Sequence, residues 1–242
     1  MIVWADEALL LSTRRHGEGD AVLDALTAVH GRVAAVVKGG GGRRRAALQP
    51  GADIRLEYRA RLEAHLGAAR VETARDRAGA VMADAGALAA LSSAAALLTT
   101  LTPEREPCPE LYAATRALFD RLADPGGDNA QGWAAAYARW ELGLLSALGY
   151  GLDLSACAAT GATENLVWVS PRTGRAVSAQ AGAPYAERLL ALPAFLRDGG
   201  LAAPEDVAAA LRLTGCFLER IEPRGAPVPA ARRRLAARFG VS

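Results

Sequence analysis

The chain has 242 residues, of which 51% are hydrophobic and 22% charged, and its formal net charge is +2. This length and apolar content can bury the core of one large domain or two smaller ones, and they exclude a disordered chain. The three cysteines are too few for a disulfide framework, and the early acidic residues exclude a secretory signal peptide. The longest uncharged stretch, residues 85–103, is rich in small residues, so it predicts a core helix and not a membrane span. We therefore expect a soluble protein of a reducing cytoplasm.

The first 80 residues predict β-strands. Residues 8–13, 21–29 and 32–37 are apolar runs, and the last two flank a His30-Gly31 turn that indicates a β-hairpin, although residues 21–29 would also suit a helix. Residues 53–59 alternate apolar and charged side chains, which is typical of a half-buried strand, and residues 64–73 predict a fifth strand. Five short strands with a Gly-rich basic loop between them predict an OB-type barrel.

From residue 81 onwards the sequence is typical of helices, which prolines and glycines separate. The predicted helices cover residues 81–101, 109–122, 131–148, 185–192, 204–221 and 229–239. Residues 151–184 are loop-like, with one strand predicted at 166–169. The predicted fold class is therefore α+β with two domains: an OB-type barrel over residues 1–80, and an α-helical domain over residues 81–242 with a loop-rich insertion at about 151–184.

Basic side chains cluster in residues 32–45, where there is no carboxylate. The members of this cluster are Arg32, Lys38, Arg43, Arg44 and Arg45. Four glycines at residues 39–42 favour a mobile loop, which lacks the G-K-[ST] ending of a nucleotide-phosphate loop. We interpret it as a flexible finger that contacts phosphates; a merely solvated loop is the alternative.

No spacing of residues predicts a catalytic site, so we expect no enzyme activity and no cofactor. The histidines show no metal-ligand spacing. Trp133, Tyr137 and Trp140 share one helix face, which favours core packing over base stacking. The arginines at residues 232–234 are consistent with a solvated helix face or with a second phosphate contact, and the sequence leaves this choice open.

Four segments of the sequence form a recognisable pattern. The first is residues 17–20 with 26–27 and 31–32, and the second is residues 37–39 with 48–51. The third is residues 59–62 with 66–67, and the fourth is the E-x-x-L-L-x-x-L-G-Y helix of residues 141–150 followed by Cys157. Together they resemble the RecO family of bacterial recombination mediators. The fourth segment is the most specific, and the order of all four strengthens the resemblance.

The resemblance implies a DNA repair and recombination protein that is associated with the nucleoid. It implies binding of single- and double-stranded DNA, annealing of complementary strands, contact with the acidic C-terminal tail of single-strand-binding protein, and joint action with RecR in loading RecA on gapped DNA. As phosphate contacts we expect the basic cluster above and, more weakly, Arg14, Arg15, Arg59 and Arg61. For the acidic tail we expect a groove in the helical domain with a nearby arginine, for which the candidates are Arg116, Arg121 and Arg139.

One departure from the family concerns metal. Many members carry a zinc site made of two Cys-x-x-Cys pairs, but here the first pair is reduced to Cys157 with Thr160 and the second to Ser178 with Ala181. Because a structural zinc ion needs four nitrogen or sulfur donors, we expect a degenerate loop without metal.

Two other functions stay open at this stage. An OB-type RNA-binding or ribosome-associated adaptor would have the same basic barrel, and competition between DNA and RNA would distinguish it. A nuclease or hydrolase with a site assembled from scattered residues would cleave DNA in the presence of magnesium.

Overall fold

The structure is a computed structural model that describes residues 1–41, 48–62, 66–124, 129–200, 202–221 and 227–241, with the backbone alone for residues 129–131. It divides into two compact units, residues 1–125 and 126–242. Of the predicted site residues, Arg43, Arg44 and Arg45 lie outside the described part of the chain.

The first unit begins with five strands that close into a barrel in the order β1-β2-β3-β5-β4. Their bounds are β1 (Ile2–His16), β2 (Asp20–Thr27), β3 (Gly31–Val37), β4 (Asp53–Ala60) and β5 (Gly67–Arg75). Strands β3 and β5 run parallel, whereas all the other pairs are antiparallel. The prediction of a five-stranded first part is confirmed, and β1 is longer than the apolar run that predicted it.

The barrel core follows from the alternation of side chains along the strands. In β4, Ile54, Leu56 and Tyr58 are buried while Arg55, Glu57 and Arg59 between them are exposed. The same alternation in β3 buries Val33, Ala35 and Val37. In β3 and β4 the burial of one face fixes the strand register, because a slip by one residue would move every apolar side chain to the solvent.

Three helices follow the barrel within the same compact unit: α1 (Ala78–Met82), α2 (Ala85–Leu101) and α3 (Pro109–Leu122). The predicted helix over residues 81–101 is wrong in its first part, because α1 ends at Met82 and Asp84 caps the start of α2. The Asp84 carboxylate accepts hydrogen bonds from the backbone N–H groups of Gly86 and Ala87. The change from strand to helix lies close to residue 80, whereas the compact unit extends to Pro125.

Close backbone approach holds these helices against the barrel. Gly51 has φ +91°, and a Cβ atom there would lie 2.5 Å from the side chain of Leu91 in α2. Gly31 has φ +66°, and a Cβ atom would lie 2.3 Å from the carbonyl oxygen of Glu106. Both positions therefore require glycine for conformation and for space.

The second unit contains more than helices. Its elements are α4 (Asn129–Ala147), β6 (Leu166–Val169), β7 (Ala176–Ser178), α5 (Ala179–Gly182), a 3₁₀ helix (Ala183–Arg188), β8 (Leu190–Ala191), α6 (Phe195–Asp198), α7 (Pro204–Leu218) and α8 (Ala230–Ala237). Strands β7, β6 and β8 form a small antiparallel sheet in that order. The strand predicted at residues 166–169 is confirmed, whereas its neighbours β7 and β8 were not predicted.

The predicted helix over residues 185–192 is wrong. Residues 183–188 form a 3₁₀ helix, and Leu190 and Ala191 then pair with Val169 and Trp168 of β6. The backbone N–H of Leu192 extends the contact by donating to the carbonyl of Val167 at 2.9 Å. Pairing with β6 therefore outweighs the local helix propensity of this Ala- and Leu-rich segment. Among the described residues, no helix has the length and apolar character needed to cross a membrane.

Candidate nucleic-acid interface

Three basic side chains surround a groove on the outer surface of the barrel. Lys38 follows β3, Arg70 lies on β5 and Arg59 on β4, and all three are exposed. The register brings them together, because Val37 is the partner of Ala69 across the parallel β3–β5 pair and Arg59 is the partner of Ala68. We call Lys38, Arg59 and Arg70 the basic groove.

The groove combines an apolar floor with a charged rim. Its floor includes Val37, Leu48 and Ala69, and its rim also carries the carboxylates of Glu57 and Glu72. Glu57 lies directly opposite Arg70, so positive and negative side chains alternate along this surface. The arrangement suits a ligand that carries separated negative charges and apolar groups, as a nucleic-acid strand does.

A second basic area lies at the end of the barrel to which Lys38 belongs. Arg14 and Arg15 are exposed near the end of β1 and pair with Val22 and Ala21 at the start of β2. The start of the glycine-rich loop is hydrogen-bonded to the same end, because Gly41 donates its N–H to the carbonyl of Gly19 at 3.0 Å. Arg14 and Arg15 therefore lie at the same end of the barrel as the start of the glycine-rich loop.

Among the described residues, these basic side chains form no ion pair within the protein. Within the described ranges, no carboxylate oxygen lies within 4.0 Å of the basic nitrogens of Arg14, Arg15, Lys38, Arg59, Arg61 or Arg70. Exposed cations without an internal partner can release counterions when they contact phosphates, which is the main source of affinity for nucleic-acid backbones.

Arg32 is different, and its prediction as a phosphate contact needs correction. Its guanidinium lies 2.8 Å from the carboxylate of Asp24 and 3.5 Å from that of Glu104, and it also donates to the carbonyl of Thr102 at 3.0 Å. Only 12% of its side chain is exposed. Arg32 therefore connects the barrel to the segment after α2, and no local sequence pattern reveals these acceptors.

The sequence alone does not single out Arg70 as a phosphate contact. The residue stands in an alternating strand pattern in which a single arginine is ordinary, and only the pairing of β5 with both β3 and β4 places it beside Lys38 and Arg59. Val37 is the partner of Ala69 in the parallel pair, so the residues that follow them, Lys38 and Arg70, lie side by side at the groove.

Comparison with known proteins matches both parts of the chain to one family. Residues 1–75 match the family model for the N-terminal part of recombination protein O, and residues 82–221 match that for its C-terminal part. The chain belongs to the RecO family.

Relatives in this family are similar over nearly their whole length. The DNA repair protein RecO of Rhodospirillum rubrum is 48% identical over 244 residues, covering 99% of this chain and 97% of that protein. The protein of the same name from Phenylobacterium zucineum is 51% identical over 232 residues, covering 94% of this chain and 93% of the relative. That from Ruegeria sp. is 48% identical over 235 residues, covering 96% and 95%.

The three arginines considered for partner binding have different surroundings. Arg116, on α3, lies 3.7 Å from carboxylate oxygens of both Glu7 and Asp53. Arg139, on α4, donates to the carbonyls of Phe195 and Gly200 and lies over the Phe195 ring. Arg121, in the last turn of α3, has no ion pair among the described residues.

Arg232, for which the sequence left two roles open, is buried in the second unit. Its guanidinium donates to both carboxylate oxygens of Glu141, at 2.8 and 2.9 Å, and the hydroxyls of Thr214 and Tyr137 donate to the same carboxylate. Burial by itself lowers the pKa of Arg232, but attraction to Glu141 and hydrogen bonding with it raise the pKa on balance. Arg233 and Arg234 remain exposed. Tyr137 and Trp140 are buried as well, in line with the core interpretation of this helix face.

The residues in the zinc-loop region do not fit a zinc ion. The Sγ atom of Cys157 accepts a hydrogen bond from the backbone N–H of Ser178 at 3.3 Å, and the Oγ atom of Ser178 accepts one from the N–H of Ala181. Hydrogen bonds from the side chains of Ser178 and Thr160 and from the Ser178 backbone lower the pKa of Cys157 to about 6. One thiol with two hydroxyls does not supply the four nitrogen or sulfur donors of a structural site. Protein hydrogen bonds hold this loop instead.

Proposed function

We propose that this protein is a DNA repair and recombination mediator that binds single- and double-stranded DNA through the basic groove of its barrel. Its membership of the RecO family supports the role in DNA repair, and the observation that supports the site is the convergence of Lys38, Arg59 and Arg70 without internal ion pairs among the described residues. The strand order, with parallel β3 and β5 closing the sheet, supports an OB-type barrel. Arg14, Arg15 and Arg61 extend the proposed surface, and Arg43, Arg44 and Arg45 remain proposed contacts.

The proposed activity is the annealing of complementary strands. Two DNA strands repel each other through their phosphates, and a surface that binds phosphates of both lowers this repulsion as counterions are released. The barrel contributes a surface of separated cations beside an apolar groove floor, so it binds strands without selecting their sequence. The proposed activity involves no bond-making step.

The proposed partners rest on family membership. We propose that the protein contacts RecR and the acidic tail of single-strand-binding protein, and that it promotes RecA loading on gapped DNA. For the acidic tail, Arg121 is the first candidate, because Arg116 and Arg139 already have partners in the structure.

A matched pair of substitutions tests the proposed DNA site. Arg59 and Arg55 are both exposed on the same face of β4, but only Arg59 lines the groove. We expect Arg59→Glu to weaken binding of a single-stranded oligonucleotide about tenfold at 0.1 M salt and to reduce the slope of log affinity against log salt by about one. Arg55→Glu should change both quantities much less. Equal effects of the two substitutions would contradict the site.

Annealing and competition assays test the function itself. The wild-type protein should accelerate annealing of complementary oligonucleotides, and Lys38→Glu combined with Arg70→Glu should abolish the acceleration because two phosphate contacts become repulsive. Excess RNA should compete no better than DNA of the same length. Strong preference for RNA without annealing would instead favour the RNA-binding adaptor.

A further inference from the structure

A second concave site lies at the end of the barrel where β1 begins. Trp4 is stacked on His30, with ring centroids 3.8 Å apart and planes 7° from parallel, and on Tyr58, with centroids 4.7 Å apart and planes at 15°. Together with Arg105 these rings line a cavity of about 220 Å³. We call Trp4, His30, Tyr58 and Arg105 the aromatic pocket.

The fold holds the aromatic pocket in place before any ligand binds. Trp4 and Tyr58 are direct partners across the β1–β4 pair. His30 is fixed in the β2–β3 turn, where its backbone N–H donates to Thr27 Oγ1 at 2.8 Å and its Nδ1 lies 3.1 Å from the Asp6 carboxylate. Such a rigid arrangement reduces the entropy that a ligand loses on binding.

Arg105 completes the pocket through an uncommon backbone conformation. Its φ is 61°, which is rare for a residue with a side chain, and its N–H donates to the carbonyl of Arg32 at 2.8 Å. This conformation places its guanidinium 3.2 Å from the hydroxyl of Tyr58, to which it donates a hydrogen bond. The strained residue therefore brings a positive charge to the edge of the aromatic rings.

The chemistry of the aromatic pocket matches an unpaired nucleobase. Trp4, His30 and Tyr58 are stacked on one another, so a flat ligand can contact this stack only from the cavity beside it; the side chain of His30 is 32% exposed. The guanidinium of Arg105 can stack on such a ligand or donate to it. The Nε2 atom of His30 has no hydrogen-bond partner among the described residues, so it can bond to the edge of a base. The neighbouring carboxylates of Asp6 and Glu104 are paired with His30 and Arg32 respectively.

The aromatic pocket is also close to cations that suit the phosphates on either side of a base. Arg59 of the basic groove is the strand partner of Val3, the residue before Trp4, and exposed Arg61 follows Ala60, the partner of Ile2. Arg59 points to the opposite face of β4 from Tyr58, so a bound strand would pass around the end of β4, where Arg61 follows, to reach the aromatic pocket. A peptide without acidic residues would use the apolar rings but would have no need of these flanking cations.

We propose that the aromatic pocket binds one unpaired base of a DNA strand whose phosphates lie on the basic groove. This inference rests on the DNA-binding function proposed above. A base inside a duplex is stacked on its neighbours and cannot enter, so the pocket favours single strands over duplexes. Binding by stacking is tolerant of sequence, because every base has an aromatic face.

Oligonucleotides with and without bases test the proposal on the full-length protein. We expect the wild type to bind an oligothymidylate at least about fivefold more tightly than an abasic phosphodeoxyribose strand of equal length. Trp4→Leu, which keeps an apolar side chain, and His30→Ala should bring this ratio close to one while the affinity for the abasic strand is unchanged. Arg59→Glu, as the control, should weaken binding of both strands alike.

The outcomes separate this inference from the proposed function. If the wild type binds both strands equally, or if the ratio persists in both variants, the aromatic pocket is not a base site although DNA binding stands. If neither strand binds, the proposed function fails.

Cross-linking of the wild-type protein tests the proposal even if the variants do not fold. Irradiation of a complex with a 5-iodouracil oligonucleotide should attach the strand to Trp4, His30 or Tyr58, as identified by mass spectrometry. Cross-links found only at other residues would overturn the proposal.

Discussion

At the scale of single residues, one arginine of the second unit is buried although its sequence context is typical of a surface charge. Arg232 stands in a run of three arginines, yet it is 4% exposed and bonded to Glu141, which is 0% exposed. Glu141 is also the first residue of the helix motif that identifies the family. The motif therefore contains a buried anion whose cation comes from α8, 91 residues later in the chain.

Removal of this cation is expected to destabilise the protein strongly. Arg232→Met leaves the Glu141 carboxylate buried without its counter-ion, and such a change costs about 3–5 kcal/mol in the free energy of unfolding. The neighbouring Arg233→Met removes an exposed charge and should cost less than about 0.5 kcal/mol. Urea unfolding of both variants, followed by circular dichroism, measures the difference. Similar midpoints for the two variants would show that the buried pair contributes little.

At the scale of elements, one arginine connects the barrel to two helices. Arg77, which directly precedes α1, donates to the carbonyl of Gly51, to the carboxylate of Asp53 at the start of β4 and to that of Asp120 on α3. Burial lowers the pKa of Arg77, but hydrogen bonds and attraction from Asp53 and Asp120 raise it on balance. The planar guanidinium can reach all three acceptors at once, which a lysine ammonium cannot do in the same geometry.

Arg77→Lys is therefore not a conservative change. It should lower the free energy of unfolding by about 2 kcal/mol or more, since buried acceptors lose their donors. Arg75→Lys is the matched control: Arg75 bonds to the same Asp120, at 2.6 Å, but 55% of its side chain is exposed, so the pair is screened by solvent. Thermal unfolding of both variants tests this, and an equal shift in Tm would argue against a connecting role for Arg77.

The accuracy of the sequence predictions depends on how local the deciding interaction is. Strand β4 and helix α3 were predicted well, because both signals are local. They are the alternation of apolar and charged side chains in β4 and the proline at the first turn of α3. The 3₁₀ helix and β8 were not predicted, because the pairing of β8 with β6 depends on residues outside the segment itself. For the same reason Arg32 was predicted to contact DNA. Its acceptor Asp24 lies 8 residues away on the neighbouring strand, and the carbonyl of Thr102 lies 70 residues away, so neither pairing can be read from the basic cluster itself.

At the scale of the whole molecule, the two family models and the two compact units divide the chain at different places. The models meet between residues 75 and 82, whereas the first compact unit extends to Pro125. The barrel and the segments that follow it meet where Gly51 approaches Leu91, where Arg77 bonds to Asp53, and where Arg105 bonds to Tyr58. A barrel without these segments would expose apolar surface and leave buried polar groups without partners.

This difference predicts which fragment folds. A fragment of residues 1–125 should be monomeric, unfold cooperatively and bind single-stranded DNA, because it keeps the basic groove, the aromatic pocket and the helices that cover the barrel. A fragment of residues 1–80 lacks Asp120, Leu91 and Arg105, so it should aggregate or lack a cooperative unfolding transition. Size-exclusion chromatography and thermal denaturation by circular dichroism compare the two. Folding of the shorter fragment with the same Tm would mean that the helices of the first unit are dispensable for the barrel, and that the strand-to-helix change near residue 80 is a true domain boundary.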